Sequence, residues 1–103
     1  MSKQQFFVRL VPPRPTFPMD MNDEERRLMG EHASCMKKLF DAGQVVVYGP
    51  VMAASGAFGM AVLDVANEAE ARAIMEEDPT VLAKLNTYEI SPMRIGAARA
   101  FAG

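Results

Sequence analysis

The sequence predicts an α+β domain with the element order β-α-β-β-α-β. Three observations carry that expectation. Four short segments are rich in β-branched and aromatic residues, each with a Pro or Gly near one end. Two longer segments open on Asn with Glu three residues later. The 103 residues leave room for one domain only, residues 1–103.

The first strand is QFFVRLV, residues 5–11, which stops hard at Pro12-Pro13. Residues 12–21, PPRPTFPMDM, hold four prolines and read as a stiff loop rather than helix or central strand. The first helix starts at Asn22, with Glu25 completing a capping box. Asp23 and Glu24 suit its positive end, and Lys37 and Lys38 its negative end. Gly43 follows as the residue past the C-cap. QVVVYGP (44–50) is the second strand, with Gly49-Pro50 as its end, VMAASG (51–56) a loop, and AFGMAVLDV (57–65) the third strand, so the pair forms a hairpin. Asn67 and Glu70 open the second helix, which runs to about Glu77, and Pro79 ends it or opens a short extra turn through Lys84. NTYEISPM (86–93) is the last strand, with Pro92 marking an edge, and residues 94–103 form a loosely held Ala/Gly-rich tail. This order is the split βαβ arrangement of ferredoxin-like folds, a four-stranded antiparallel sheet with both helices on one face.

Composition narrows the function classes. Half the residues are apolar and the net charge is -2, with both signs interspersed. A chain of this size buries roughly 65% of its unfolded surface, enough for a core without disulfides or metal. There is no basic stripe and few aromatics, so nucleic acid is not the expected partner. No apolar run approaches the ~20 residues of a membrane span, and the first residues lack the pattern of a signal peptide. A single cysteine forms no internal disulfide, and a cytoplasmic location is the expectation.

The strands carry a second message. Phe6, Val8 and Leu10 alternate with Phe7 and Val11; Val45 and Val47 with Val46 and Tyr48; Phe58, Met60 and Val62 with Ala61 and Leu63. Strands apolar on both faces need both faces covered. The helices cover one, no other segment is left for the second, and a second copy of the chain, sheet against sheet, is the expected cover.

The only histidine and the only cysteine lie in MGEHASCM, residues 29–36. Leu28, His32, Met36 and Leu39 follow i, i+4, i+8 and i+11, so His32 shares the apolar stripe of the first helix. A lone histidine there is ordinarily a packed, hydrogen-bonded core residue. Two features favour a site. Gly30 stands mid-helix, where it costs ~1 kcal/mol relative to Ala, and is a candidate for making room for a ligand. Asp78 falls at i+4 from Ile74 and i+7 from Ala71, on the inward stripe of the second helix. The end of that helix, the proline segment and the 51–56 loop belong at one end of the sheet, where His32 and Asp78 can meet under a proline-stiffened lid. An aspartate partner fixes the imidazole tautomer and makes a general acid or base. Asp-Pro is equally a common helix exit. Cys35 as a nucleophile is disfavoured by its core-like setting. One His and one Cys fall short of a zinc site, the glycines make no phosphate loop, and no cofactor or metal is expected. The nine methionines read as gap-filling core.

FFVRL, PPRPTFPMDMNDEERRLMGEH, LFDAGQVVVYGPV, GAFGMAVLDVANEAEARAIMEEDP and YEISPM together resemble the YciI-related (YCII) family over residues 6–93. The most specific features are the helix-one His followed by the Gly-x-Val-Val-x-x-Gly-Pro strand, and the Glu-Ala-Glu-Ala-Arg-Ala helix ending in Asp-Pro. The resemblance implies a dimeric α+β barrel with a His/Asp site, here His32 and Asp78. Most members of that family have no assigned reaction, and a few relatives are associated with elimination chemistry, such as removal of chloride from chlorinated hydroxyquinols. The insert from Pro12 to Met21 departs from shorter relatives, puts direct transfer of their substrates in doubt, and offers Phe17 and Arg14 as pocket-lining candidates, Arg14 being equally a solvated loop charge. Two functions follow: a cofactor-independent lyase, isomerase or dehydrochlorinase-like enzyme acting on a small molecule, or a non-catalytic homodimeric module that binds one.

Overall fold

The computed structural model describes residues 2–101. Its sheet has four antiparallel strands: β1 (Gln4–Val11), β2 (Val45–Ala53), β3 (Gly56–Val65) and β4 (Thr87–Met93), in the order β2-β3-β1-β4. This is the ferredoxin-like arrangement, with β1 and β3 central. Between the strands stand α1 (Phe17–Asp20), α2 (Asp23–Asp41), α3 (Glu68–Glu76) and α4 (Pro79–Leu82). Phe6, Val8 and Leu10 of β1 and Leu63 and Val65 of β3 meet Met36 of α2 and Ala71 and Met75 of α3 in one core. Burial of these side chains drives the docking of both long helices on the same face.

The helix ends follow the local chemistry. The Asn22 side chain accepts from the Glu25 N–H at 2.8 Å, and Glu25 Oε1 accepts from the Asn22 N–H at 2.9 Å. Asn67 accepts likewise from Glu70, and Gly43 takes a left-handed φ of 81° after α2. Pro92 lies on β4, an edge strand, where a missing N–H breaks no ladder.

Four expectations are corrected. The proline segment is not all loop: Phe17–Asp20 make one helical turn with Pro18 in its first turn, where proline's missing N–H costs nothing. The loop at 51–56 contracts to a turn at Ala54-Ser55, and β2 continues through Pro50, because β2 is the other edge strand. A bulge between Val45 and Val47 shifts the phase of β2. Val45 and Tyr48 therefore join the core, while Val46 and Val47 stay exposed. Asp78 is not on α3, which ends at Glu76; it is the N-cap of α4.

The face away from the helices carries Phe7, Phe58, Met60, Val62, Val47 and Val51. Residues 94–98, beyond β4, line a shallow pocket there with Val46, Val47 and Val62, so part of this face is covered by the chain itself, contrary to the expectation that no segment remains for it. Residues 94–101 have no regular secondary structure, and the last two tail residues lie outside the described ones.

Candidate active site at the hollow end of the sheet

On the helix-facing side of β3 the residues are Ala57, Gly59, Ala61, Leu63 and Val65. The first three are small and the last two large. Where they are small the helices do not fill the space, and a cavity of about 330 Å³ opens. Leu10, Ala57, Gly59 and Ala61 line it from the sheet; Met29, His32, Ala33 and Met36 from α2; and Pro12, Phe17, Pro18 and Met21 from the proline segment. Asn86, at the entry to β4, also lines it.

His32 and Asp78 meet at this cavity. His32 Nδ1 lies 2.6 Å from Asp78 Oδ2. The carboxylate is 2% exposed and the imidazole side chain 16%. The other carboxylate oxygen, Oδ1, accepts from the Thr80 N–H at 2.9 Å and from Thr80 Oγ1 at 2.6 Å. Burial pushes the Asp78 carboxyl up, but hydrogen bonds from His32 and Thr80 outweigh it and hold the group below its ordinary value. An ionised Asp78 only accepts, so Nδ1 carries the proton in this pair, and Nε2 is the nitrogen left to exchange one. Capping of α4 by Asp78 thus turns one carboxylate oxygen toward Thr80 and the other toward the imidazole.

Among the other candidates, Phe17 lines the cavity and is itself buried. Arg14 does not line it. Its guanidinium pairs with Glu25 through two bonds of 2.9 and 2.8 Å, bonds Asp20 at 2.7 Å, and lies 5.2 Å from the Phe17 ring centre. Arg14, then the Asn22 N–H, holds the Glu25 carboxyl down to about 2. The insert is therefore pinned to the start of α2, with Phe17 turned inward. Gly30 does not line the cavity either: it is on the exposed side of α2, and a Cβ there meets nothing within 4 Å. The glycine that matters to the insert is Gly56, at φ 132°, where a Cβ would come within 3.2 Å of Pro15. Burial, then the Asp78 charge, pushes the Cys35 thiol up, opposite to what an activated nucleophile needs. Among the described residues no group of three or more His, Cys, Asp and Glu side chains converges.

Two participants escaped the sequence reading. Thr80 was legible, because Asp-Pro-Thr is an N-cap, N1, N2 pattern. Asn86 left no such signal, since an Asn before a strand reads as a turn residue.

A family model described as YCII-related domain matches residues 5–94. No curated protein matches the sequence. Among solved structures, the chain is similar to the 5-chloro-2-hydroxyhydroquinone dehydrochlorinase from Burkholderia phenoliruptrix AC1100 in complex with 2,5-dihydroxybenzoquinone. The TM-score is 0.60 and the identity 16%, over 88% of this chain and 95% of that one.

Proposed function

The chain belongs to the YCII-related family, and on that premise we propose that it is a cofactor-independent enzyme of the lyase or isomerase type. Its substrate is a small hydroxylated ring. His32 Nε2 takes a proton from that ring or returns one to it, and Asp78 holds the tautomer and balances the charge that forms on the imidazole. In the elimination version, a proton leaves the ring for His32, the electron pair moves into the ring, and chloride departs from a ring carbon, so that the net loss is HCl. The observation that carries this reading is a buried, doubly anchored carboxylate bonded to an imidazole that borders an apolar cavity. The dehydrochlorinase name of the structural neighbour supports the reaction class; at 16% identity the likeness itself is one of fold.

The enzyme acts as a homodimer, sheet against sheet. The support is the helix-free face, where Phe7, Phe58 and Met60 stay only half buried and Val47 exposed in the single chain. Sedimentation at micromolar concentration as a single chain would contradict this.

One feature favours the second function, a non-catalytic ligand-binding module: Asp78 also caps α4, a structural task that explains its burial without chemistry. Chloride release from a chlorinated hydroxyquinol separates the two. The enzyme reading predicts release by the wild type and a loss of roughly a hundredfold or more in His32→Ala. Binding without release by the wild type, or release undiminished in His32→Ala, refutes it.

A further inference from the structure

We propose that Asn86 selects the ligand: its side-chain carbonyl oxygen accepts a hydrogen bond from a hydroxyl or N–H group on an uncharged, single-ring molecule seated beside His32. The inference rests on reading the cavity as a small-molecule site. Asn86 is 3% exposed and borders the cavity. Its Nδ2 donates to Met29 Sδ at 3.5 Å, a weak acceptor, and its Oδ1 has no hydrogen-bond partner among the described residues. A buried carbonyl in that state is costly and asks for an explanation. The fold supplies none. The backbone N–H of Asn86 already bonds the Thr80 carbonyl at 3.1 Å, so the chain enters β4 without help from the side chain. A leucine has the same branched side-chain skeleton, somewhat bulkier, with no polar group to satisfy. The oxygen is closed off in the chain alone; a turn of the amide about χ2, a soft torsion, brings it to the cavity edge, where the ligand is its partner.

The rest of the wall defines what that ligand is. Among the described residues no Lys, Arg, Asp or Glu lines the cavity, so a phosphate or carboxylate finds no counter-ion there. Arg14, in the adjoining insert, is committed to Asp20 and Glu25. The volume of about 330 Å³ lies at the small end of ligand sites and suits one substituted ring. Such a ring makes apolar contact with the methionines and Phe17 and presents one donor to Asn86, while a second group faces His32.

The test uses p-cresol and p-xylene, which share a shape and differ by the hydroxyl, with binding measured calorimetrically or by NMR on the full chain. Wild type is expected to prefer p-cresol by about tenfold, the scale of one buried hydrogen bond. Asn86→Leu is expected to fold with undiminished Tm and to bring that preference close to parity. Asn86→Ala, with the same two probes, serves if the leucine variant does not fold. A wild-type preference kept in the variant, or a wild type that binds neither probe, overturns the inference. If the preference persists while His32→Ala abolishes chloride release, the inference about Asn86 falls and the catalytic reading stands. If the preference collapses while His32→Ala keeps full turnover, the catalytic reading falls and Asn86 retains its role.

Discussion

The helix-covered face of the sheet has two unlike ends. At one, Phe6, Leu63 and Val65 pack against Ala71, and Met75 reaches from this cluster to the wall of the cavity. At the other, the same two central strands offer Leu10, Ala57, Gly59 and Ala61, and the space above them stays hollow under Phe17 and Pro18. The sealed end holds the fold together. The hollow end gathers the polar groups a solid core would exclude: His32, Asp78, Thr80 and Asn86. The contrast lies in side-chain size along β3, small-small-small-large-large on the inward positions, rather than in any change of element. A domain of this length can leave one end unfilled because the other buries Phe6, Leu63, Val65 and Ala71 almost completely.

Breaking the sealed end should have the largest effect on stability. Leu63 is 0% exposed, and Leu63→Ala is expected to cost about 2–5 kcal/mol in denaturant unfolding, while leaving the hollow end's ligand affinity unchanged in the folded fraction. A cost below about 1 kcal/mol would mean that the sealed end does not hold the fold together, and a changed affinity that the two ends are not separate.

Asp78→Asn sharpens the comparison from the other end. It replaces a buried hydrogen-bonded carboxylate, and a loss of about 1–3 kcal/mol is expected at neutral pH. The sign with pH follows from the lowered folded-state value. The unfolded chain binds a proton at this group more readily, so the contribution is complete above about pH 4 and is lost as pH falls through the lower folded value. Urea titrations of both proteins should therefore converge in acid. A gap that widens there would show a raised Asp78, not a lowered one.

Ala57→Leu fills part of the hollow instead of breaking anything. A change in stability within about 1 kcal/mol and loss of p-cresol binding are expected. Retained binding would place the ligand elsewhere. The smallest effect belongs to Gly30→Ala, on the exposed side of α2 with open space at the Cβ: a gain of about 0.5–1 kcal/mol with no effect on ligands. A drop in affinity would restore Gly30 to the site.

Much of this contrast can be read from the residues in order. Asn22 with Glu25, and Asn67 with Glu70, mark the helix starts because their side chains bond the backbone locally. His32 on the apolar stripe and Asp78 before Pro79 place two polar groups at one end of the sheet, although Asp78 gets there as the cap of α4 rather than as a member of α3. What escapes is decided by tertiary packing. The bulge at Val46 is invisible because Val45, Val46 and Val47 are identical and carry no phase. Phe17 and Pro18 form a helical turn because Phe17 is drawn inward. Arg14 could not be told from a pocket residue until Glu25 and Asp20 stood beside it.

The claim on which the site depends is that Asp78 fixes the imidazole with its proton on Nδ1 and leaves Nε2 bare. The chain has a single histidine, so a nitrogen-15 NMR spectrum of the ring reports the state directly. The neutral ring should show a protonated Nδ1 and an unprotonated Nε2, a pattern that weakens or reverses in Asp78→Asn. A proton on Nε2 in the wild type, or a spectrum indifferent to Asp78→Asn, would contradict the account.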